Sequence, residues 1–266
     1  MPEGPEVSVI VNKLSKLLIG ATLNKMTYTH KKVFAKISSL PYNLPKVVKK
    51  VRKKGKYFWI EFEDETCVGN SFGLTGKFET FVDQENKENK VKHACGTFEF
   101  TKGDQSITMH YVDRLAFGKF EYFTNKSALF QKIGSIGMDV LHMEQEDYDE
   151  IFEKTIHKTP WKTLCKFLMD QSKFSGIGNY LKAEILFHAK LSPNRQIQNL
   201  TSFEIASLFE SIKHIYAASI EAGGSPKYGG AFELQIYDRK DLVDTGVVCE
   251  KTDDGRKTWW NPTLQI

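Results

Sequence analysis

The sequence predicts an α+β protein: one amphipathic helix, then an antiparallel β-sandwich, then a helical region closed by a hairpin. Three patterns carry this expectation. Apolar residues recur at helical spacing near the start, short strand-like runs separated by Gly, Asp and Asn clusters fill the middle, and helical periodicity returns from Asn125 onward.

From Pro5 to Leu18, the residues Val7, Ile10, Val11, Leu14, Leu17 and Leu18 mark one helix face, and Gly20 supplies a stop. Pro5 and Glu6 suit a first helical turn, so Pro2 and Glu3 are expected at the end of a rigid element. Tyr57–Glu63, Cys67–Phe72, Thr97–Thr101, Ser106–Tyr111 and Lys119–Phe123 read as strands, and the charged run Asp83–Lys92 as a surface loop. Helical spacing follows over Asn125–Thr159, Trp161–Met169, Asn179–Ala189 and Phe203–Ala222. After Gly223 and Gly224, the runs Gln235–Tyr237, Val247–Val248 and Lys257–Trp260 read as short strands of a terminal hairpin. These patterns divide the chain at 1–124, 125–158, 159–222 and 223–266.

With 41% hydrophobic and 12% aromatic residues, the chain can bury substantial cores. The formal charge is only +4, but Lys46, Lys49, Lys50, Arg52, Lys53, Lys54 and Lys56 form a stripe without an acid, while Glu144–Glu153 is strongly acidic. Such a stripe is either a solvated face or a phosphate-binding surface. The four cysteines include no C-x-x-C pair and the seven histidines no tetrahedral spacing, so neither zinc nor a disulfide framework is expected. No apolar run reaches the ~18 residues of a membrane span, and the start has no signal-like apolar segment. An intracellular monomer with no membrane partner and no cofactor is expected.

Removal of Met1 would leave Pro2 with a free secondary amine, a nucleophile that converts an aldehyde-like carbon directly to an iminium. Glu3 beside it is a candidate proton shuttle. Glu6 and Lys56, the latter in Gly55-Lys56-Tyr57 ahead of an apolar run, complete a first set. A second set is Gln171–Leu181, where Gly176 and Gly178 precede Asn179 at a helix start, an arrangement that can present N–H groups to an anion or form an ordinary helix–helix turn.

Together, P-E-G-P-E-V, G-K-Y, the Gln171–Leu181 segment, and Gln235–Lys240 with Gly255–Pro262 resemble the formamidopyrimidine-DNA glycosylase and endonuclease VIII family. The resemblance spans nearly the whole chain. It implies a catalytic β-sandwich domain (1–124), an acidic helical linker region (125–158), a helix-two-turns-helix DNA-binding domain (159–222) and a finger hairpin (223–266). In it Pro2 is the nucleophile and Schiff-base former, Glu3 handles protons, and Lys56 binds phosphate and assists elimination. Asn179, Gly178 and Arg256 are implied as phosphate contacts, with His93 and Tyr237 also at the DNA. The hairpin lacks the family's zinc cysteines, since Asp244, Asn261 and Leu264 stand near their expected places; a zincless finger is implied, with Trp259, Trp260 and Val247 packing in the metal's stead.

Leu74, Leu115 and Phe117 match the void-filling positions that occupy the hole left by an extruded base, although Leu74 and Phe117 also suit a core. Where many relatives have D-P-R-R-F-G, this chain reads Asp113-Arg114-Leu115-Ala116-Phe117-Gly118, which implies weak discrimination of the opposite base. The resemblance implies a bifunctional glycosylase and abasic-site lyase acting on double-stranded DNA with oxidised bases. The short segment Ala222–Phe232 favours pyrimidines and hydantoins. A catalytically silent DNA binder is the alternative.

Overall fold

The computed structural model describes residues 1–37, 40–83 and 91–266; within the expected loop Asp83–Lys92, residues 84–90 lie outside these. The chain forms two compact units, Met1–Pro2 with Val7–Ser135, and Glu3–Glu6 with Ile136–Ile266. Helix α1 (Gly4–Leu18) therefore begins in the second unit and runs on into the first.

In the first unit, α1 buries Val7, Val11, Leu14 and Leu18. It stops at Gly20, which takes the left-handed φ of 81° and donates its N–H to the Val48 carbonyl at 2.9 Å. Eight strands follow: β1 (Thr22–Tyr28), β2 (Lys46–Lys54), β3 (Tyr57–Phe62), β4 (Cys67–Ser71), β5 (Lys77–Val82), β6 (Ala94–Lys102), β7 (Gln105–Val112) and β8 (Lys119–Phe123). They pair antiparallel in the order β5-β7-β6-β1-β2-β3-β4-β8. The sheet doubles back on itself: Phe78 of edge strand β5 and Phe120 of the opposite edge β8 sit 6.3 Å apart, and Phe78 meets Phe58 of β3 edge-on at 5.4 Å. This is the expected sandwich, with an aromatic core completed by Phe34, Phe98 and Tyr111. Helix α2 (Lys126–Gly134), capped by Asn125, closes the unit.

The second unit holds α3 (Gln145–Lys158), α4 (Leu164–Met169), α5 (Asn179–His188) and α6 (Ser202–Glu221). A short parallel bridge between β9 (Met138–Asp139) and β10 (Phe174–Ser175) stitches the loop ahead of α5 to the start of the unit. Capping boxes at Glu144 and Thr201 fix the starts of α3 and α6. The strands β11 (Val248–Lys251) and β12 (Lys257–Trp260) form the terminal hairpin, pairing Val248 with Trp260 and Lys251 with Lys257.

Gln235–Tyr237 is not a strand. The backbone N–H groups of Gln235, Ile236 and Tyr237 donate at 2.9, 3.1 and 2.8 Å to the buried Glu184 carboxylate of α5. A side chain thus takes the donors that a sheet partner would have used. Among the described residues no helix is long and apolar enough to cross a membrane.

Candidate active site and nucleic-acid interface

The start of α5 lacks a side-chain cap, because its N-cap residue is Gly178. Its exposed N–H groups are met by Glu3, whose Oε1 accepts from the Tyr180 N–H at 3.0 Å and whose Oε2 accepts from the Leu181 N–H at 3.2 Å. The positive end of the helix therefore binds a carboxylate of the same chain. Gly178 makes room for it: a Cβ there would lie 2.1 Å from the Glu3 carboxyl carbon. The anion site read from the glycines exists, and its occupant is Glu3.

Glu6 holds Glu3 from the other side. Its Oε2 accepts from the Glu3 N–H at 2.9 Å, and its Oε1 accepts from the Tyr180 hydroxyl at 2.8 Å and the Ser225 N–H at 2.9 Å. Burial first, then the Glu6 and Glu3 carboxylates, push the Tyr180 phenol well above its ordinary pKa, so it stays a donor. The Gly4 N–H donates to the Gly176 carbonyl at 2.9 Å. Four links thus bind the residues following Pro2 to the loop and first turn of α5.

Asn179, the first residue of α5, donates from Nδ2 to the Lys257 carbonyl of β12 at 2.9 Å, next to Arg256. Arg256 is exposed in the hairpin turn, where Gly255 adopts φ 79°. Tyr237 packs its ring 6.3 Å from Tyr180, with the Lys227 ammonium 4.9 Å from its centroid. Behind the hairpin, Val247 is buried with Ile236 and Ala183, and Trp259 packs on them; Trp260 donates Nε1–H to Glu250 at 3.0 Å.

The hairpin residues do not fit zinc. Cys249 is exposed on β11 and is the only cysteine beyond Cys165. Asn261 is buried and committed elsewhere, its Oδ1 accepting from the Thr263 N–H at 3.0 Å and its Nδ2 donating to the Thr245 carbonyl at 3.3 Å. Leu264 is exposed and has no donor atom. Among the described residues no group of three or more His, Cys, Asp or Glu could hold a metal ion.

In the first unit, Lys56 follows Gly55 (φ 57°) in the two-residue turn between β2 and β3, closed by the Lys54–Tyr57 pair. The basic stripe is β2 itself, and part of it faces inward. Lys46 is buried and pairs with Asp64, Arg52 lies 3.4 Å from Glu61, and Lys54 donates to the Ile133 carbonyl at 3.1 Å.

Leu74, Leu115 and Phe117 are 44, 41 and 51% exposed, so none is a core residue. Their two loops touch: a Cβ on Gly73 would strike the Phe117 backbone at 2.6 Å. Buried Asp113 braces both, accepting from the Gly118 N–H at 2.8 Å, the Leu115 N–H at 3.3 Å and the Thr75 hydroxyl. His93 is exposed with φ 63°, and its carbonyl accepts from the Asp113 N–H at 3.1 Å, beside the same loop.

Comparison with known proteins accounts for this arrangement. A family model described as the formamidopyrimidine-DNA glycosylase N-terminal domain matches residues 1–120, and one described as the formamidopyrimidine-DNA glycosylase H2TH domain matches residues 136–228. The chain belongs to the formamidopyrimidine-DNA glycosylase family. It is a DNA-repair glycosylase. The formamidopyrimidine-DNA glycosylase of Carboxydothermus hydrogenoformans is 29% identical over 281 residues, covering 100% of both chains. That of Mycoplasma genitalium is 27% identical, covering 98% of this chain and 94% of its own. A crystal structure of the Lactococcus lactis enzyme in complex with an oxidised-pyrimidine-containing DNA has a TM-score of 0.85 at 25% identity, covering 99% of each chain.

Three residues that brace the loops and hairpin around this glycosylase's site, without belonging to its catalytic or binding set, were not singled out in the sequence. Asp113 sits inside a motif whose neighbours drew the attention. Glu184 lies on the apolar-looking α5, and a charge with no exposed face is the available signal. Lys182, on the same helix, is fully buried against Asp254 of the hairpin turn, 2.6 Å away.

Proposed function

We propose that this glycosylase removes oxidised bases, mainly pyrimidines and hydantoins, from double-stranded DNA and then cleaves the strand as an abasic-site lyase. The Pro2 amine, freed by loss of Met1, attacks the sugar C1′ as the bond to the base breaks and the base leaves with a proton. The sugar ring opens to an iminium on Pro2. Loss of a C2′ proton expels the 3′ phosphate, and a second elimination expels the 5′ phosphate. Glu3 carries protons to and from the sugar, while Lys56, Asn179 and Arg256 hold flanking phosphates. Leu74, Leu115 and Phe117 fill the space vacated by the extruded base.

The observation that carries the reading is the Glu3 carboxylate, clamped by two N–H groups of α5 one peptide bond from Pro2. A shuttle one bond from the nucleophile gains rate only when its geometry is fixed. The substrate preference is supported by Ala222–Phe232, which folds as a tight closed loop with Ala231 N–H to Ala222 carbonyl at 2.7 Å and Phe232 N–H to Gly224 carbonyl at 3.1 Å. A short loop closed on itself in this way is the basis for favouring smaller lesions over large purines. The L. lactis relative has been crystallised both with oxidised-pyrimidine DNA and with Fapy-dG DNA, so the preference proposed for this chain rests on the loop alone.

Borohydride reduction on a duplex with an abasic site, followed by mass spectrometry of the cross-linked peptide, tests the mechanism. An adduct on Pro2 is expected. Tight duplex binding without an adduct would replace the lyase with a silent binder, and equal excision of 8-oxoguanine and thymine glycol from matched duplexes would overturn the preference.

A further inference from the structure

The turn that carries Arg256 is built around a closed ring of buried polar groups. The Lys182 Nζ donates to Asp254 Oδ2 at 2.6 Å and to Thr258 Oγ1 at 2.7 Å. The Thr252 hydroxyl donates to Asp254 Oδ1 at 2.7 Å and lies 2.7 Å from the Thr258 hydroxyl, which closes the ring. Lys182 and Thr258 are fully buried, and the Asp254 side chain is 4% exposed. An ammonium and a carboxylate out of water are costly unless every donor and acceptor is used, and here they are arranged in one consistent direction.

Both backbone polar groups of Arg256 join the same ring. Its N–H donates to Asp254 Oδ1 at 3.1 Å, and its carbonyl accepts from the Thr252 N–H at 3.0 Å. Neighbouring Asp253 is fixed separately, accepting from the Thr163 hydroxyl at 2.6 Å and the Cys165 thiol at 2.8 Å. Lys182 stands three residues after Asn179 on α5, so one helix face ties β12 at Lys257 and the turn at Asp254.

We propose that the buried Lys182–Asp254 pair is the positioning element of the hairpin turn, setting Arg256 for its phosphate in a finger whose residues do not fit a metal. Neither residue touches DNA; both act through the Arg256 backbone. This rests on the reading of Arg256 as a phosphate contact. Hydrogen bonds from Lys182 and Thr252 outweigh the upward push of burial and hold the Asp254 carboxyl below its ordinary value, consistent with an ion pair.

The test is equilibrium binding to a duplex containing a tetrahydrofuran abasic analogue, across a salt series, for Arg256→Ala, Lys182→Met, Asp254→Asn and each of the latter two combined with Arg256→Ala. Arg256→Ala is expected to weaken binding about ten- to a hundredfold and to flatten the salt slope by about 0.9. Lys182→Met and Asp254→Asn should each lose a comparable factor alone and nothing further in the Arg256→Ala background, while single-turnover excision at saturating DNA stays at the wild-type rate. Lys182→Arg, which keeps the charge, should recover binding. Equal losses with and without Arg256, or wild-type affinity in both Lys182→Met and Asp254→Asn, would overturn the proposal. Wild-type affinity in Arg256→Ala itself would instead overturn the phosphate reading. If Lys182→Met fails to fold, the near-isosteric Asp254→Asn carries the same comparison.

Discussion

Replacing Glu6 by Gln changes one atom, and the structure sets what that atom costs. Both carboxylate oxygens of Glu6 accept hydrogen bonds, Oε1 from Tyr180 and Ser225 and Oε2 from the Glu3 N–H, and the side chain is buried. A glutamine can keep its oxygen toward Tyr180 and Ser225, but its NH2 then faces the Glu3 N–H, donor against donor. A buried donor left unpaired costs about 1–3 kcal/mol, and the remaining bonds lose their charge assistance, so about 2–3 kcal/mol is expected in total. At about 2–4 °C per kcal/mol for a chain of this size, the melting temperature should fall by about 4–12 °C. The displaced Glu3 N–H also moves the peptide bond that carries Pro2, and misplacement near 1 Å can cost about a hundredfold in rate. Thermal unfolding and the rate of borohydride trapping on an abasic duplex, measured on the same preparations, check both parts. A melting temperature within a degree of wild type together with an unchanged trapping rate would refute the assignment of Glu6 as the clamp on Glu3.

Further outcomes follow from the same geometry. Gly178→Ala places a methyl group against the Glu3 carboxyl without straining the backbone, whose φ is −123°; single-turnover excision should fall by about 10²–10⁴, with duplex affinity falling far less. Phe117→Ala should leave the melting temperature unchanged, because the side chain is 51% exposed, while excision from duplex DNA drops more than excision from single strands, where no void needs filling. Asp254 has a folded pKa held below the ordinary 3.8 by Lys182 and Thr252 against the effect of burial. Its stabilisation is therefore complete above that value and lost as pH falls through the folded pKa. A melting curve series should show wild-type stability falling below about pH 4, and a flatter acid limb in Asp254→Asn.

The α1 helix and strand β7 were legible because each keeps its own period, and β3, β4 and β8 because they are short apolar or aromatic runs bounded by turn residues. Strands β1 and β2 were not, and the cause is the same in both. A register shift lies between Leu23 and Lys25 in β1 and between Val48 and Lys50 in β2, so the buried residues Leu23 and Met26, and Val48 and Val51, fall three apart and imitate a helix. In β2 the lysines added a second disguise. The anion site at α5 was readable from Gly176, Gly178 and Asn179, but its occupant was not, since Glu3 lies 177 residues from Tyr180 in sequence. The Lys182–Asp254 pair was hidden for the complementary reason. A single lysine in Tyr180-Leu181-Lys182-Ala183 reads as a solvated position, and only the hairpin folding onto α5 makes it interior.

The internal use of so many basic groups bears on how strongly salt should govern DNA binding. Of the stripe on β2, Lys46 is committed to Asp64, Arg52 to Glu61 and Lys54 to the Ile133 carbonyl, partners that the choice between a solvated face and a phosphate-binding surface did not include. The proposed phosphate contacts include two cations, Lys56 and Arg256, with Asn179 neutral. Neutralising two phosphates predicts a slope of log K against log salt of about −2 on duplex DNA, since each released counterion contributes about 0.9. A stripe engaged along its whole length would give about −6 by the same rule. Fluorescence anisotropy on a tetrahydrofuran-containing duplex over a range of salt concentrations distinguishes the two. A slope near −2, flattened by about 0.9 in Arg256→Ala, would support β2 as a structural strand that pairs with its own acids. A slope near −6 would mean that DNA competes Lys46 away from Asp64 and Arg52 away from Glu61, making the stripe the principal electrostatic surface and reversing the ranking of contacts argued above.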